Sequence, residues 1–223
     1  SYYDSSNWRA TWNGEGGGVL INQCPHQLDL LQWVVGKKPV SVNGFCEYGK
    51  WHDIEVEDEV TAYLRYKNGA TGVFITTTGE APGGNRLEIS GTKGKLLCEN
   101  DKIEFYRLSE DVNEFSKHNE VLFAQPKEEK IAVETDGKNP QHLGIINNFT
   151  QAILGKEKLF VSGADGISSV ELMNAIEYSG WRGGAETQIP VDENEYLNAL
   201  NKKRESSRRK NVAEKLADTT GTY

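Results

Sequence analysis

The chain has 223 residues, 37% of them hydrophobic, which is enough for one large domain or two small ones with a buried core. Its formal net charge of -8 argues against nonspecific binding to nucleic acid or anionic lipid, and no apolar run reaches the roughly 18 to 20 residues of a membrane span. Its three widely spaced cysteines, Cys24, Cys46 and Cys98, fit neither a disulfide scaffold nor a zinc site, so we predict a reducing compartment, the cytoplasm.

A loop and a helix are predicted first. Residues 1–15 carry four aromatic side chains with little periodicity and are predicted to form an ordered loop. The apolar residues that follow recur at helical spacing, which predicts one amphipathic helix over residues 19–35. Gly36 is placed to end this helix. Pro25 removes a backbone donor inside it and predicts a kink or a distorted turn.

The middle of the chain predicts antiparallel strands. Residues 39–48 alternate between apolar and polar side chains, and residues 58–67 and 70–78 flank Asn68-Gly69. That dipeptide is typical of the type I′ turn of a hairpin. Three further strands, separated by turn residues, are predicted over residues 86–90, 95–99 and 102–108. Consecutive short strands of this kind predict a β-meander.

The remainder is predicted to be mainly helical, with a helix from residue 139 that Gly155 ends and another over about residues 164–181. A short strand over residues 187–191 is predicted to lead to Asp192, the N-cap of a last helix through Lys203. Residues 205–223 are predicted to be a tail. Strands grouped between helices indicate an α+β fold, and we predict one domain over residues 1–223. No strand, Gly-x-Gly-x-x-Gly and helix follow one another in the sequence, which predicts that this chain contains no Rossmann domain.

The predicted first helix carries an unusual polar line. Asn22, His26, Asp29 and Trp33 are spaced by four, three and four residues, which places them along one helical face. With Asn22 and Asp29 to orient its ring, His26 is a candidate for proton exchange with a substrate hydroxyl or carbonyl. A histidine satisfied within a packing surface is one alternative. A metal site is another, but one nitrogen and at most one carboxylate are few ligands, so we predict no metal.

Several motifs together resemble the second domain of the Gfo/Idh/MocA oxidoreductase family, and the resemblance covers nearly the whole chain. They are Trp-Arg-Ala-Thr-Trp at residues 8–12, the glycine run at residues 16–18, the segment from Asn22 through His26 and Asp29 to Trp33, residues 78–82 with residues 85–89, and Gly-Ala-Asp-Gly at residues 163–166.

The resemblance implies half of an enzyme. In this family an N-terminal Rossmann domain binds NAD or NADP, and an α+β domain with an open, mainly antiparallel sheet supplies substrate contacts and an assembly surface. The family's catalytic set is a lysine of the Rossmann domain with an aspartate and a histidine of the second domain. His26 matches the histidine, whereas Asn22 stands at the aspartate position and cannot take up a proton or supply a charge.

The resemblance also places Arg9 near the nicotinamide and the substrate, where a guanidinium suits a polyhydroxylated or anionic ligand. The alternative for Arg9 and Trp8 is a structural pair, with the guanidinium stacked on the aromatic face. His52 and His142 are within reach of the same cleft, with surface or capping roles as their alternatives. We list Arg9, Trp8, Asp29 and His52 as candidate substrate contacts and Arg9 as a candidate cofactor contact.

The leading hypothesis is therefore the substrate-binding and catalytic half of an NAD(P)-dependent oxidoreductase acting on a sugar, inositol or related polyol. His26 and Asn22 are its candidate catalytic residues, and the chain is expected to be inactive without its Rossmann half. The alternative is a non-catalytic oligomerisation or ligand-binding module. In either case the sheet is expected to pair with a second copy of the chain, and no nucleic acid or membrane partner is expected.

Overall fold

A computed structural model describes residues 2–208 and 210–212 of the chain. The chain divides into two compact units, one formed by Ser1–Glu80 with Ser162–Tyr223 and the other by Ala81–Val161. Each unit contains its own four-stranded sheet. The single domain over residues 1–223 stays a prediction.

Antiparallel strands flanked by helices make up the described residues, which confirms the predicted α+β class. None of the described helices is long and apolar enough to cross a membrane. The helices are α1 (Val19–Asn22), α2 (Pro25–Val35), α3 (Val112–His118), α4 (Gln141–Ile153), α5 (Ile167–Trp181) and α6 (Glu193–Glu205). The strands are β1 (Ser41–Tyr48), β2 (Glu57–Arg65), β3 (Thr71–Thr77), β4 (Arg86–Gly91), β5 (Gly94–Glu99), β6 (Lys102–Leu108), β7 (Glu128–Ile131) and β8 (Thr187–Gln188).

The sheet of the first unit has the order β3-β2-β1-β8, with antiparallel neighbours throughout. One face packs against α5, where Val42 and Leu64 bury their side chains with Ile176 in a single core cluster. Gly44 permits this close approach, because a Cβ there would lie 2.4 Å from the Ile176 carbonyl oxygen. The opposite face of the sheet stays exposed and carries apolar side chains.

The hairpin between β2 and β3 forms as predicted, but the type I′ turn is wrong. Only Gly69 of the Asn68-Gly69 pair has a positive φ, at +84°. The Gly69 N–H donates to the Tyr66 carbonyl at 3.0 Å. Residues 67–69 therefore form a three-residue hairpin loop. In such a loop only the last position, here Gly69, needs a positive φ.

The predicted helix over residues 19–35 is divided into α1 and α2. Pro25 occupies the first position of α2, where the missing N–H costs no helical hydrogen bond. Gly36 adopts φ +66° and its N–H donates to the Gln32 and Trp33 carbonyls, as expected of a helix end. The division means that Asn22 and His26 lie in different helices, so the single polar line that the sequence predicted does not exist.

The sheet of the second unit is the predicted meander, extended by β7 into the order β4-β5-β6-β7. The sequence analysis missed α3 and β7. The Asp111 carboxylate caps α3 by accepting from the Asn113 N–H at 2.9 Å. Strand β7 begins Glu-Glu-Lys, and such charged edge strands lack the apolar alternation that a sequence pattern detects. Helix α4 agrees with its prediction, and Gly155 follows its end with φ +69°.

The described part of the predicted tail packs back on the first unit. Ser207 Oγ hydrogen-bonds to the Glu55 carboxylate, Arg208 Nη1 lies 3.0 Å from Asp53 Oδ1, and Lys210 Nζ donates to the Tyr3 carbonyl at 3.0 Å. Arg209 and residues 213–223, which complete the predicted tail, lie outside the described residues.

Candidate functional site

The N-terminal segment, residues 2–18, is an ordered loop with one short turn of 3-10 helix at Tyr2–Asp4. Its anchor is Trp12, which is buried with its ring 5.8 Å from the ring of Tyr48 and 5.7 Å from that of Trp181. The Trp12 N–H donates to Glu55 Oε1 at 2.6 Å. These contacts fix the backbone from which the neighbouring polar side chains project.

Four side chains of this segment and of α1 close a set of polar contacts, here called the polar ring: Tyr2, Arg9, Glu15 and Asn22. Arg9 Nη1 donates to the Tyr2 hydroxyl, and that hydroxyl donates to Asn22 Oδ1 at 3.0 Å. Asn22 Nδ2 donates to Glu15 Oε1, which lies 4.0 Å from Arg9 Nη1. Arg9 and Asn22 are predicted site residues, whereas the sequence analysis missed Tyr2 and Glu15.

The Arg9 guanidinium is also stacked on aromatic rings. Its central carbon lies 4.3 Å from the centre of the Tyr2 ring and 4.6 Å from that of the Trp8 ring. The structural pair considered for Arg9 and Trp8 therefore forms. It does not remove Trp8 from solvent, since that side chain is 48% exposed. An exposed indole beside a fixed guanidinium is a surface on which a sugar ring can stack.

His26 is exposed in the first turn of α2, and no hydrogen bond joins its ring to Asn22 or Asp29 among the described contacts. Asn22 is held in the polar ring, and Asp29 Oδ1 accepts from Ser169 Oγ of α5 at 3.2 Å. The expectation that these two side chains orient the imidazole is therefore wrong for this conformation. The break at Pro25 is the physical reason, because it ends the helical register between Asn22 and His26.

His52 makes contacts typical of a structural residue. Its ring packs edge-on to Tyr3 at 4.9 Å, and its Nδ1 lies 3.4 Å from both Asp58 Oδ2 and Thr78 Oγ1. The buried Asp58 carboxylate also accepts the backbone N–H groups of Lys50, Trp51 and His52. These contacts favour the alternative reading of His52, a residue that supports the loop between β1 and β2.

The glycine run packs against β2. A Cβ at Gly18 would lie 2.0 Å from the Glu57 carbonyl oxygen, so only glycine fits there. The Gly18 and Leu20 N–H groups donate to Glu57 Oε1 at 2.8 and 3.1 Å, and this buried carboxylate thereby caps α1. The run thus serves close packing and helix capping, and the N–H groups of Gly16 and Gly18 already donate to the Thr11 carbonyl and to Glu57.

Two buried carboxyl groups, Glu57 and Glu177, lie beneath this run. Burial raises the pKa of Glu57 to about 7, against the effect of its backbone donors. Burial and the charge of Glu57 also raise the pKa of Glu177 well above its usual range. Glu177 Oε2 accepts from the Tyr196 hydroxyl at 2.6 Å, whereas Glu57 Oε2 and Glu177 Oε1 have no hydrogen-bond partner. Both groups are therefore suited to holding a proton rather than a charge.

The sequence analysis missed this pair, because one residue lies at the start of β2 and the other within α5, and no spacing in the sequence connects them. The described residues contain no group of three or more His, Cys, Asp or Glu side chains that could hold a metal ion. The three cysteines are free thiols, and burial raises the pKa of Cys24 and Cys46, which makes thiolate chemistry unfavourable there.

Together these features define the class: an α+β domain that presents a fixed cluster of arginine, aromatic and amide side chains at its surface, beside an exposed histidine. Residues 1–97 match the family model described as the GFO/IDH/MocA C-terminal domain. The resemblance found in the sequence is confirmed over that part of the chain.

Individual relatives agree with this assignment. Trans-1,2-dihydrobenzene-1,2-diol dehydrogenase of Bos taurus is 34% identical over 87 residues, which are 39% of this chain and 25% of that protein. The WlbA dehydrogenase of Bordetella pertussis, in complex with NADH and UDP-GlcNAcA, is 26% identical with a TM-score of 0.65 over 86% of this chain and 50% of that one. The WlbA dehydrogenase of Chromobacterium violaceum, with the same two ligands, is 27% identical with a TM-score of 0.67 over 86% and 51%. The chain spans between a quarter and about half the length of these proteins.

Proposed function

We propose that this chain is the substrate-binding and catalytic half of an NAD(P)-dependent oxidoreductase of the cytoplasm that acts on a sugar, inositol or related polyol. The observation that carries the proposal is the polar ring, in which side chains distant in sequence hold an arginine and an amide beside an exposed indole. Hydroxyl groups donate and accept hydrogen bonds, and such a cluster offers partners for both. The UDP-GlcNAcA bound to both WlbA dehydrogenases supports a sugar as the ligand class.

In this proposal His26 exchanges a proton with the reacting hydroxyl or carbonyl, since it is an exposed titratable group in the first turn of α2, the helix that follows Asn22 in the chain. Asn22 contacts the same hydroxyl, and Arg9 and Trp8 contact the rest of the ligand. Asp29 and His52 have partners within the first unit, so we assign them supporting roles.

The nicotinamide cofactor supplies the hydride when it is bound. The end of the glycine run does not fit its pyrophosphate, because the Gly18 and Leu20 N–H groups at the start of α1 donate to Glu57. We therefore propose that NAD or NADP is held by a Rossmann domain outside this sequence, with Arg9 as the nearest contact from this chain. The NADH in the two WlbA complexes supports NAD(H) as the family's cofactor.

Joining this chain to a matching Rossmann domain tests the proposal. The chain alone, given NAD or NADP with a panel of sugars and polyols, or the reduced cofactor with their carbonyl forms, is expected to show no turnover. The two-domain protein is expected to turn over at least one of them, because only then do the nicotinamide and the proton-transfer residue meet. Absorbance of the reduced nicotinamide is the measurement. A folded two-domain protein that binds NADH but turns over no sugar or polyol of the panel would contradict the proposal.

A second function, assembly, is favoured by the exposed face of the first unit's sheet. Phe45, Val73 and Ile75 of this face are 55%, 62% and 68% exposed, and Tyr63 lies among them. Phe45 and Ile75 both pair with Thr61, and Tyr63 pairs with Val73, which makes the apolar patch continuous across three strands. We propose that a second copy of the chain covers this patch, as expected of a contiguous apolar surface.

The double variant Val73→Lys with Ile75→Lys is expected to shift the protein from dimer to monomer, because it places two charges in the proposed interface. Sedimentation velocity at micromolar concentration measures this. Leu197→Lys, which charges a 48% exposed leucine of α6 away from the sheet, is the matched control and should leave the dimer intact. A wild-type protein that stays monomeric, or a double variant that stays dimeric, would contradict this assembly.

A further inference from the structure

Glu15 lies at the centre of the polar ring although no catalytic or binding motif marks it. Its side chain is only 8% exposed. One carboxylate oxygen, Oε2, accepts from the Ala10 N–H at 2.7 Å. The other, Oε1, accepts from Asn22 Nδ2 and lies 4.0 Å from Arg9 Nη1. A carboxylate this enclosed is retained only where its oxygens have such partners.

Glu15 sets the direction of every hydrogen bond in the ring. A carboxylate only accepts, so the Asn22 amide turns its Nδ2 toward Glu15 and its Oδ1 away. Asn22 Oδ1 therefore accepts from the Tyr2 hydroxyl. Because the Tyr2 hydroxyl proton is already donated to Asn22, the hydroxyl oxygen can only accept, and it accepts from Arg9 Nη1.

Glu15 also balances charge. Arg9 and Glu15 carry opposite charges, while Tyr2 and Asn22 are neutral, so the ring as a whole has no net charge. A guanidinium whose charge is already paired loses much of its preference for an anion and keeps its remaining N–H donors for neutral acceptors. The chemistry of the ring therefore suits a ligand that carries hydroxyl groups but no charge at this point.

We propose that Glu15 is a positioning and specificity-determining residue: by orienting Asn22 and pairing with Arg9 it makes this subsite selective for uncharged hydroxyl groups over carboxylates. The inference rests on the proposed function for the location of the ligand. Glu15 itself does not touch the ligand and acts through Asn22 and Arg9.

The test uses two glycosides with the same ring, methyl glucoside and methyl glucuronide, which differ by a hydroxymethyl group and a carboxylate. Their dissociation constants for the 223-residue chain are measured by NMR titration, with the Trp8 indole and Asn22 side-chain amide signals as probes. The wild type is expected to bind the glucoside about tenfold more tightly than the glucuronide.

Glu15→Gln removes the charge and leaves Arg9 unpaired. Its single amide oxygen can still accept from Asn22, at the expense of the hydrogen bond from the Ala10 N–H. This variant is expected to bind the glucuronide about tenfold more tightly than the wild type does, with little change for the glucoside. Glu15→Ala removes both the charge that pairs with Arg9 and the oxygen that accepts from Asn22. This variant is expected to weaken glucoside binding and to shift the Asn22 amide signals. Glu47→Gln, which removes an exposed carboxylate of β1 that lies outside the ring, is the matched control and should change neither constant.

Equal changes for both glycosides in Glu15→Gln, a wild type that prefers the glucuronide, or no binding of either glycoside to the wild type would overturn the inference. Because these readouts are binding and spectroscopic signals of the chain alone, they are independent of turnover. Failure of the two-domain protein to turn over any sugar would contradict the proposed reaction. It would not affect the proposed preference for uncharged ligands, which the two dissociation constants decide.

Discussion

Replacing His26 with alanine in the two-domain enzyme is expected to lower kcat by about 10²- to 10⁴-fold, the usual contribution of a positioned acid or base. The loss corresponds to about 3 to 5 kcal/mol of transition-state stabilisation. His26 is exposed on the first turn of α2, so its removal leaves no cavity and the fold should be unchanged. Steady-state kinetics with a saturating nicotinamide cofactor measure the effect.

His118→Ala is the matched control for this experiment. His118 is also an exposed histidine, paired with Glu110 in the second unit, and its removal should leave kcat within about twofold of the wild type. A His26→Ala enzyme that turns over at the rate of the wild type would exclude His26 as the proton-transfer residue. Loss of activity in both variants would indicate a general effect on the protein instead.

The free energy of unfolding is expected to fall by about 3 kcal/mol as the pH rises from about 4.5 to about 7.5, because of Glu57. In the unfolded chain this carboxyl group ionises near its ordinary pKa of 4.5, whereas in the folded protein burial keeps it protonated to about pH 7. Between these values the folded state holds more protons, so stability is greatest at the lower pH and declines as the proton is lost. The raised pKa of Glu177 adds to the decline in the same direction.

Exposed carboxyl groups act in the opposite direction and at lower pH. Ion pairs or hydrogen bonds lower the pKa of Glu59 and Asp165, so their stabilisation is present above their unfolded pKa and is lost as the pH falls through the folded values. The two effects are therefore separated on the pH axis. The fall in stability above pH 4.5 reports on the buried pair.

Urea denaturation at a series of pH values measures the effect, with Glu57→Gln as the variant. Glutamine keeps an oxygen that can accept from the Gly18 and Leu20 N–H groups and cannot ionise, so the decline attributed to Glu57 should disappear. Glu177→Gln provides an independent variant of the pair, and Glu80→Gln, at an exposed position, is the control that should retain the full decline. Parallel pH profiles for the wild type and Glu57→Gln would contradict the assignment.

Local patterns in the sequence predicted the helices and strands well where the side-chain periodicity was strong. The position of α5, the hairpin of β2 and β3 and the end of α2 at Gly36 all follow from residues close together in the chain. Strand β7 and helix α3 have few apolar residues and were missed. Pro25 was recognised as a disturbance, but its tolerance at the first position of a helix means that it divides the segment into two helices rather than kinking one.

The candidate site was predictable only in part, because its contacts join residues that local patterns do not connect. Asn22 and Arg9 were identified, but Tyr2 and Glu15 entered through hydrogen bonds that a periodicity cannot reveal. The glycine run at residues 16–18 is one of the motifs that carry the family resemblance. Its actual role depends on the partner strand, since the constraint on Gly18 is the Glu57 carbonyl oxygen that lies against it.

The central claim is that this chain supplies the substrate site of a nicotinamide-dependent oxidoreductase, and deuterium transfer tests it most directly. The two-domain enzyme is given NADH with both C4 hydrogens of the nicotinamide replaced by deuterium, together with the oxidised form of the sugar that it turns over. The account predicts that deuterium is recovered on the reduced carbon of the product, and that His26→Ala slows this transfer without changing where the label appears. A product without deuterium, or no product from a folded enzyme that binds both partners, would contradict it.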